Sequence, residues 1–192
     1  MQDTENNLAG LSAYAPPAWD QLPDLGLYMD QVITYMERHY RALYPQSGSI
    51  LTPSMINNYV KYGLVTRPVG KKYDREQLAQ LMMLLTLKQA ASLEEMKQLL
   101  TPPKGESIRD LYDAFLITNQ RVVASLNARP GEATAMQYAI EAAAFRYLCA
   151  QKLFSQPVPA QKEGKRGGKN KAKPEFQESI PHKIPEAEKG EA

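Results

Sequence analysis

The fold of this chain is decided by residues 51–100, which read LTPSMINNYVKYGLVTRPVGKKYDREQLAQLMMLLTLKQAASLEEMKQLL. The pair Thr52–Pro53 is typical of a helix start, because a threonine hydroxyl caps free backbone N–H groups and proline fits the first helical turn. Gly63 predicts the end of this helix, since glycine readily adopts the left-handed conformation found just after a helix C-terminus. The stretch therefore begins with one short, well-delimited helix.

Two further helices in this stretch each begin with a capping box. Asp74 with Gln77, and Ser92 with Glu95, have the spacing at which two side chains cap each other's backbone N–H groups. Residues 67–73 lie between the first two helices, and their proline and glycine disfavour a helix there. We therefore predict a short β-hairpin, a two-stranded wing, over this segment.

The rest of the chain divides into regions that differ in apolar spacing. Apolar residues recur at steps of three and four from residue 27 to 44 and again along two arms that flank a turn at 129–131, which predicts further helices. The predicted regions are an N-terminal arm at 1–22 with Trp19 docked on the core, a winged helix-turn-helix domain at 23–101, a C-terminal helical hairpin at 105–154 for dimerisation or an effector, and a disordered charged tail at 155–192. The expected fold class is all-α.

Composition argues against several classes of function. The chain has 192 residues, 43% of them hydrophobic, and a formal net charge of +2. It contains no apolar run long enough for a membrane span and no secretory signal pattern, so we expect a cytoplasmic protein. One cysteine and two histidines make a disulfide framework and a His/Cys metal site improbable. We find no nucleophile–base pair or phosphate-binding glycine loop, and therefore expect neither an enzyme nor a cofactor.

The helix that starts after Thr52 has a polar face suited to reading DNA. Asparagine can pair with an adenine edge, and lysine with guanine or a phosphate. Side chains at steps of three, four and seven share one face of a helix. The predicted DNA-binding residues of this helix are Thr52, Ser54, Asn57, Asn58 and Lys61.

The predicted wing adds positive charge beside that helix. Between residues 61 and 75 five basic residues face a single acidic residue, Asp74. Such a local excess favours contact with phosphates even in a weakly charged protein. The predicted DNA-binding residues of the wing are Arg67, Lys71, Lys72 and Tyr73.

Three motifs resemble the MerR-type DNA-binding domain: INNYVKYGL at 56–64, GKKY at 70–73 and SLEEMKQLL at 92–100. In that family they correspond to a recognition helix, a wing and a closing helix. PDLGLYMDQV at 23–32, with MINNYVK at 55–61, resembles more closely the bacterial domain-of-unknown-function family 1836, which looks like a MerR offshoot. The Arg-Tyr-Tyr of the MerR recognition helix falls on Asn57, Asn58 and Tyr59, so only the last tyrosine is kept.

The resemblance implies sequence-specific binding of double-stranded DNA and transcription regulation by a homodimer. A repressor is favoured over an activator, because the long MerR coiled coil is missing. The alternative is a helical protein–protein adaptor that keeps the winged fold without DNA binding, a role favoured by Asn57 and Asn58, which remove a charge and an aromatic ring. The sequence does not predict a small-molecule effector or the DNA sequence of an operator.

Overall fold

The computed structural model describes residues 14–44, 48–128 and 133–154, and within these ranges it forms six α-helices. They are α1 Met29–Tyr40, α2 Pro53–Lys61, α3 Arg75–Leu87, α4 Leu93–Leu99, α5 Ile108–Asn127 and α6 Ala135–Phe154. The predicted all-α class is confirmed. The predicted tail at 155–192, the turn at 129–131 and residues 1–13 of the arm lie outside the described residues.

The helix boundaries follow the capping signals of the sequence. The Thr52 hydroxyl accepts the backbone N–H of Met55 at 3.2 Å, and capping boxes form at the starts of α3 and α4 as predicted. α2 ends at a glycine: Gly63 has a φ of 72°, and the N–H of Leu64 reaches back to the carbonyl of Tyr59 at 2.9 Å. This geometry is the Schellman motif, which satisfies carbonyl groups left free at a helix end.

α3 is the central helix of the core. Its residues 77–85 are all buried, and it packs against α1 on one side and α5 on another. A helix surrounded by other elements has to be apolar around most of its circumference, as α3 is. α2 packs against α1 and inserts Ile56 into the same core. The position of α2 is thus fixed by its apolar side, and its opposite side is left to solvent.

The part of the N-terminal arm that is described is anchored in the core. Tyr14 is buried, and its hydroxyl donates to the Tyr40 hydroxyl at 2.6 Å. The Tyr40 hydroxyl in turn donates to the carbonyl of Met82 on α3. Burial raises the pKa of Tyr14 to about 12, so this chain of hydroxyl groups stays protonated at neutral pH. Trp19 packs half-buried with its ring centroid 6.2 Å from that of Tyr112, and its predicted docking is confirmed.

The predicted two-stranded wing is wrong. No strand forms in the described part of the chain, and residues 67–73 make a tight turn closed by one antiparallel bridge between Val69 and Lys72. The hairpin does not extend, because its next hydrogen-bonded pair would include Asp74, whose backbone N–H and carbonyl are both used at the start of α3. The backbone groups of Tyr73 point away from the turn and pair with Leu27, with N···O distances of 2.8 and 2.9 Å.

Both arms of the predicted C-terminal hairpin form helices, α5 and α6. α6 does not pack along α5, as the second arm of a hairpin would, but contacts α4. An ion pair joins the two helices: the Arg146 guanidinium lies 2.5 Å from a carboxylate oxygen of Glu95, whose side chain is buried. None of the described helices combines the length and apolarity needed to cross a membrane.

Candidate nucleic-acid interface

The solvent-facing side of α2 carries polar side chains in the predicted order. Ser54, Asn57 and Lys61 are exposed, whereas Asn58 is half-buried at the edge of this face. The apolar residues Met55, Tyr59 and Val60 pack against the core. Thr52 uses its hydroxyl to cap the helix. The helix therefore offers Ser54, Asn57 and Lys61 to a partner and uses Thr52 for its own stability.

A surface cavity of about 420 Å³ joins α2 to the segment that follows it. It is lined by Asn57, Val60, Lys61, Arg67, Pro68 and Tyr73. Four predicted binding residues thus border one depression: two cations, one amide and the ring of Tyr73. Tyr73 is buried, and burial raises the pKa of its hydroxyl, so the ring forms part of the cavity lining as a neutral group.

The turn after α2 points the side chains of the neighbouring residues Lys71 and Lys72 in different directions. Gly70 and Lys71 have φ values of 58° and 65°, and the N–H of Lys72 donates to the carbonyl of Val69 at 3.1 Å. Two successive positive φ values are characteristic of a type I′ turn. Lys71 occupies the exposed tip of this turn. A non-glycine residue in that conformation costs about 1–2 kcal/mol.

Lys72 is directed toward the segment before α1. Its ammonium lies 5.2 Å from the centroid of the Tyr28 ring, a cation–π distance. Its stem runs against Gly26, where an added Cβ would stand 2.9 Å from the Lys72 Cβ. Lys72 remains exposed, but it is engaged by Tyr28 and is not among the residues that line the cavity.

Two buried glutamines of α3 hold Thr66, just before the turn at residues 67–73, a role that the sequence did not predict for either of them. The side-chain oxygen of Gln80 accepts the N–H and hydroxyl of Thr66 at 2.9 and 3.1 Å. The Gln77 amide donates to the same hydroxyl at 3.2 Å. Gln77 was predicted only as a helix cap, which it is. The available signal was that both glutamines lie within residues 77–85, which are otherwise apolar, since buried amides need partners.

Arg75, one of the five basic residues between positions 61 and 75, contacts the N-terminal segment and is not part of the polar face of α2. The Arg75 guanidinium donates to the carbonyl of Leu22 at 3.2 Å and lies 4.0 Å from the carboxylate of Asp20. It ties the start of α3 to the N-terminal segment. By contrast, Lys61, Arg67 and Lys71 are exposed and form no ion pair with any residue that the structure describes.

We call the exposed side of α2 and the adjoining turn the basic face, formed by Ser54, Asn57, Lys61, Arg67 and Lys71. Its chemistry is that of an anion-binding surface with hydrogen-bonding groups. Cations that are not neutralised internally are available for phosphates, and the exposed amide and hydroxyl groups can hydrogen-bond a base edge. Among the described residues, no cluster of three or more histidine, cysteine or acidic side chains is arranged to hold a metal ion.

The fold and this face define an all-helical domain with a cationic, polar helix surface. Residues 17–115, just over half of the chain, match the model of the family described as Domain of unknown function (DUF1836). The chain belongs to that family. No curated protein and no solved structure matches it.

Proposed function

We propose that this protein binds double-stranded DNA through its basic face and regulates transcription. The observation that carries the proposal is that Asn57, Lys61 and Arg67 border one depression on the solvent side of α2. In a helix-turn-helix domain, the helix that enters the major groove has its outer side free and its inner side fixed on the core. α2 meets both conditions, because Ile56 is buried while Asn57 and Lys61 are exposed.

Each part of the basic face has a distinct role in this proposal. Asn57 and Ser54 contact base edges, while Arg67 and Lys71 contact phosphates on either side of the groove. Lys61 is placed between these groups and contacts a guanine or a phosphate. In this proposal the tight turn at residues 69–72 contacts the DNA backbone. It takes the place of the two-stranded wing that the sequence predicted.

The MerR resemblance of residues 56–64 and 92–100 supports the proposal, because both motifs fall on helices whose caps form as in the sequence pattern. The asparagines at 57 and 58 imply a target sequence different from that of MerR proteins. We further propose that the protein acts as a repressor and as a homodimer.

A second candidate function is that of a helical protein–protein adaptor. It is favoured by α6, on which no residue is buried although most are apolar. Such a surface marks a protein contact, which an adaptor and a dimeric regulator both need. The two functions differ in their response to nucleic acid, since an adaptor has no steep salt-dependent affinity for DNA.

Retention of genomic DNA fragments by the purified full chain tests the proposal. We expect a discrete set of fragments to be retained, and their affinity to fall steeply between about 50 and 200 mM salt as counterions are released. Sequencing of the retained fragments then gives the binding site. Weak retention of all fragments alike, or retention that does not respond to salt, would exclude sequence-specific binding and favour the adaptor.

A further inference from the structure

α6 exposes large apolar side chains along its whole length. Their exposed fractions are 69% for Met136, 43% for Tyr138, 62% for Ile140, 61% for Phe145, 64% for Tyr147, and 55% for both Leu148 and Phe154. Scattered apolar residues on a surface need no explanation, but a continuous row of them marks an interaction site. The row on α6 has a regular spacing, which identifies the kind of partner.

Six residues of α6 follow the spacing of a coiled-coil seam. The steps between them are four, three, four, three and four residues, the alternation that places apolar side chains on one stripe of a helix. We call these positions the α6 seam: Met136, Ile140, Ala143, Tyr147, Ala150 and Phe154. The four large members are exposed, as is Ala143, whereas Ala150 is half-buried.

The order of large and small residues in the seam is self-complementary when two copies run antiparallel. In a two-fold symmetric pair centred at residue 145, positions equally far from the centre face each other. Ile140 then faces Ala150 of the other copy, and Ala143 faces Tyr147, so each inner layer joins one large and one small side chain. Layers of this kind interdigitate without voids. A parallel pair would instead set Tyr147 against Tyr147 and Ala143 against Ala143.

We infer that α6 pairs antiparallel with α6 of a second copy of this chain, with the α6 seam as the interface. The inference goes beyond DNA binding and does not depend on it, because it follows from α6 alone. It also gives α6 the partner that α5 does not supply.

The exposed area of the seam is sufficient for such a pair. Each large apolar side chain presents roughly 200 Å² when fully free, so the four large seam residues together present on the order of 500 Å² at their observed exposures. Two copies therefore reach about 1,000 Å², the minimum expected of a biological interface. The alanines and glutamines that flank the seam add to this area.

Charge and composition favour a second copy over other segments of the same chain. The positions that flank the seam are Gln137, Ala139, Ala144, Arg146, Gln151 and Leu153, and the one cation among them is paired with Glu95. Like charges therefore do not oppose self-association. In residues 155–192 the large apolar residues are Val158, Phe176, Ile180 and Ile184, separated by several prolines. Three of them recur at steps of four, but Pro181 and Pro185 disfavour a regular helix over this stretch that would complement the seam.

Sedimentation velocity on the full chain without DNA tests the pairing. We expect a dimer at micromolar concentration and a monomer for Tyr147→Glu. The matched control is Phe145→Glu, which changes a side chain of similar exposure on the opposite face of α6 and leaves the dimer intact. A monomeric wild-type protein, or equal dissociation by both substitutions, would overturn the inference. Helix content measured by circular dichroism verifies that both variants fold.

Disulfide cross-linking tests the antiparallel direction. Ile140→Cys and Ala150→Cys proteins are prepared separately, each with the half-buried free Cys149 replaced by serine. We expect oxidation to leave each protein uncross-linked alone and to link them when mixed, because residues 140 and 150 face each other across the two-fold axis. Cross-linked dimers from either protein alone would contradict the antiparallel arrangement.

Discussion

Charge reversal of Lys61 and Arg67 together, as Lys61→Glu with Arg67→Glu, is expected to reduce the affinity of the protein for its retained DNA by at least about 100-fold. Both cations border the cavity beside α2 and are exposed, so their loss removes phosphate contacts and places acidic groups against a polyanion. The slope of log affinity against log salt should fall by about 2, one for each contact removed. Fluorescence anisotropy with a labelled duplex measures both quantities.

The control for this prediction is Lys97→Glu with Lys104→Glu. These two lysines are also exposed and lie outside the basic face, on α4 and in the segment between α4 and α5. The double variant has the same change in net charge, so a general electrostatic effect would weaken binding equally in both proteins. We expect the control to lose severalfold less affinity. Equal losses in the two variants would show that the basic face is not the binding surface.

Glu95→Gln is expected to destabilise the protein by about 2 kcal/mol at neutral pH. Glu95 is buried, caps α4 by accepting the N–H of Ser92 at 2.7 Å, and holds the guanidinium of Arg146. Glutamine keeps an oxygen for the cap but removes the charge. Because Arg146 is 40% exposed, solvent screens part of the interaction, and the loss stays below that of a fully buried pair. Urea denaturation measures the change in the free energy of unfolding.

The difference between wild type and Glu95→Gln should depend on pH. Burial raises the pKa of Glu95, but the hydrogen bonds from Ser92 and the charge of Arg146 lower it by more, so its pKa lies below the ordinary 4.5. A carboxyl group with a lowered folded-state pKa stabilises the protein above its ordinary pKa, and this contribution disappears as the pH falls through the lowered value. We therefore expect a constant difference above pH 5 that shrinks under acidic conditions.

Glu94→Gln provides the matched control for this pair of measurements. Glu94 lies in the same first turn of α4 but is exposed. Its replacement should change the free energy of unfolding by less than about 0.5 kcal/mol, as is usual for surface positions. A similar loss for Glu94→Gln, or a difference for Glu95→Gln that persists unchanged at acidic pH, would contradict the role assigned to the Glu95–Arg146 pair.

The sequence predicts those parts of the fold that depend on near neighbours. The caps at Thr52, Asp74 and Ser92 and the glycine stop of α2 involve residues within a few positions of each other, and all were predicted correctly. The two-stranded wing was predicted wrongly, because its strand pairing was assumed to lie within residues 67–73. Tyr73 pairs instead with Leu27, a contact between distant parts of the chain that no local pattern encodes.

The same distinction applies to the candidate site. Asn57 and Lys61 lie on one side of α2 because helical spacing places them there, and Arg67 follows closely enough in sequence to border the same cavity. The roles of Lys72 and Arg75 could not be predicted, since their partners Tyr28 and Asp20 belong to the N-terminal segment. From the sequence, both were predicted to be free to bind phosphates. In the structure, each interacts with a residue of the N-terminal segment.

The predicted hairpin shows that the apolar spacing of a helix does not identify the helix against which it packs. α6 was expected to pack on α5 because the two arms carry apolar residues at helical spacing and flank a predicted turn at 129–131. In the structure α6 contacts α4 instead, and the core-facing residues of α5, such as Tyr112, pack against α3 and the N-terminal segment. Hydrophobic periodicity predicts that a face is covered, but it does not tell which helix covers it.

Mapping of the DNA contact by nuclear magnetic resonance tests the central claim most directly. Amide shifts of the ¹⁵N-labelled full chain are compared with and without a duplex carrying the retained sequence. We predict changes concentrated at residues 54–61 and 66–72, with little change in the outer side of α5. An unchanged basic face in the presence of bound duplex, or changes confined to α5 and α6, would contradict the claim that α2 and its adjoining turn bind DNA.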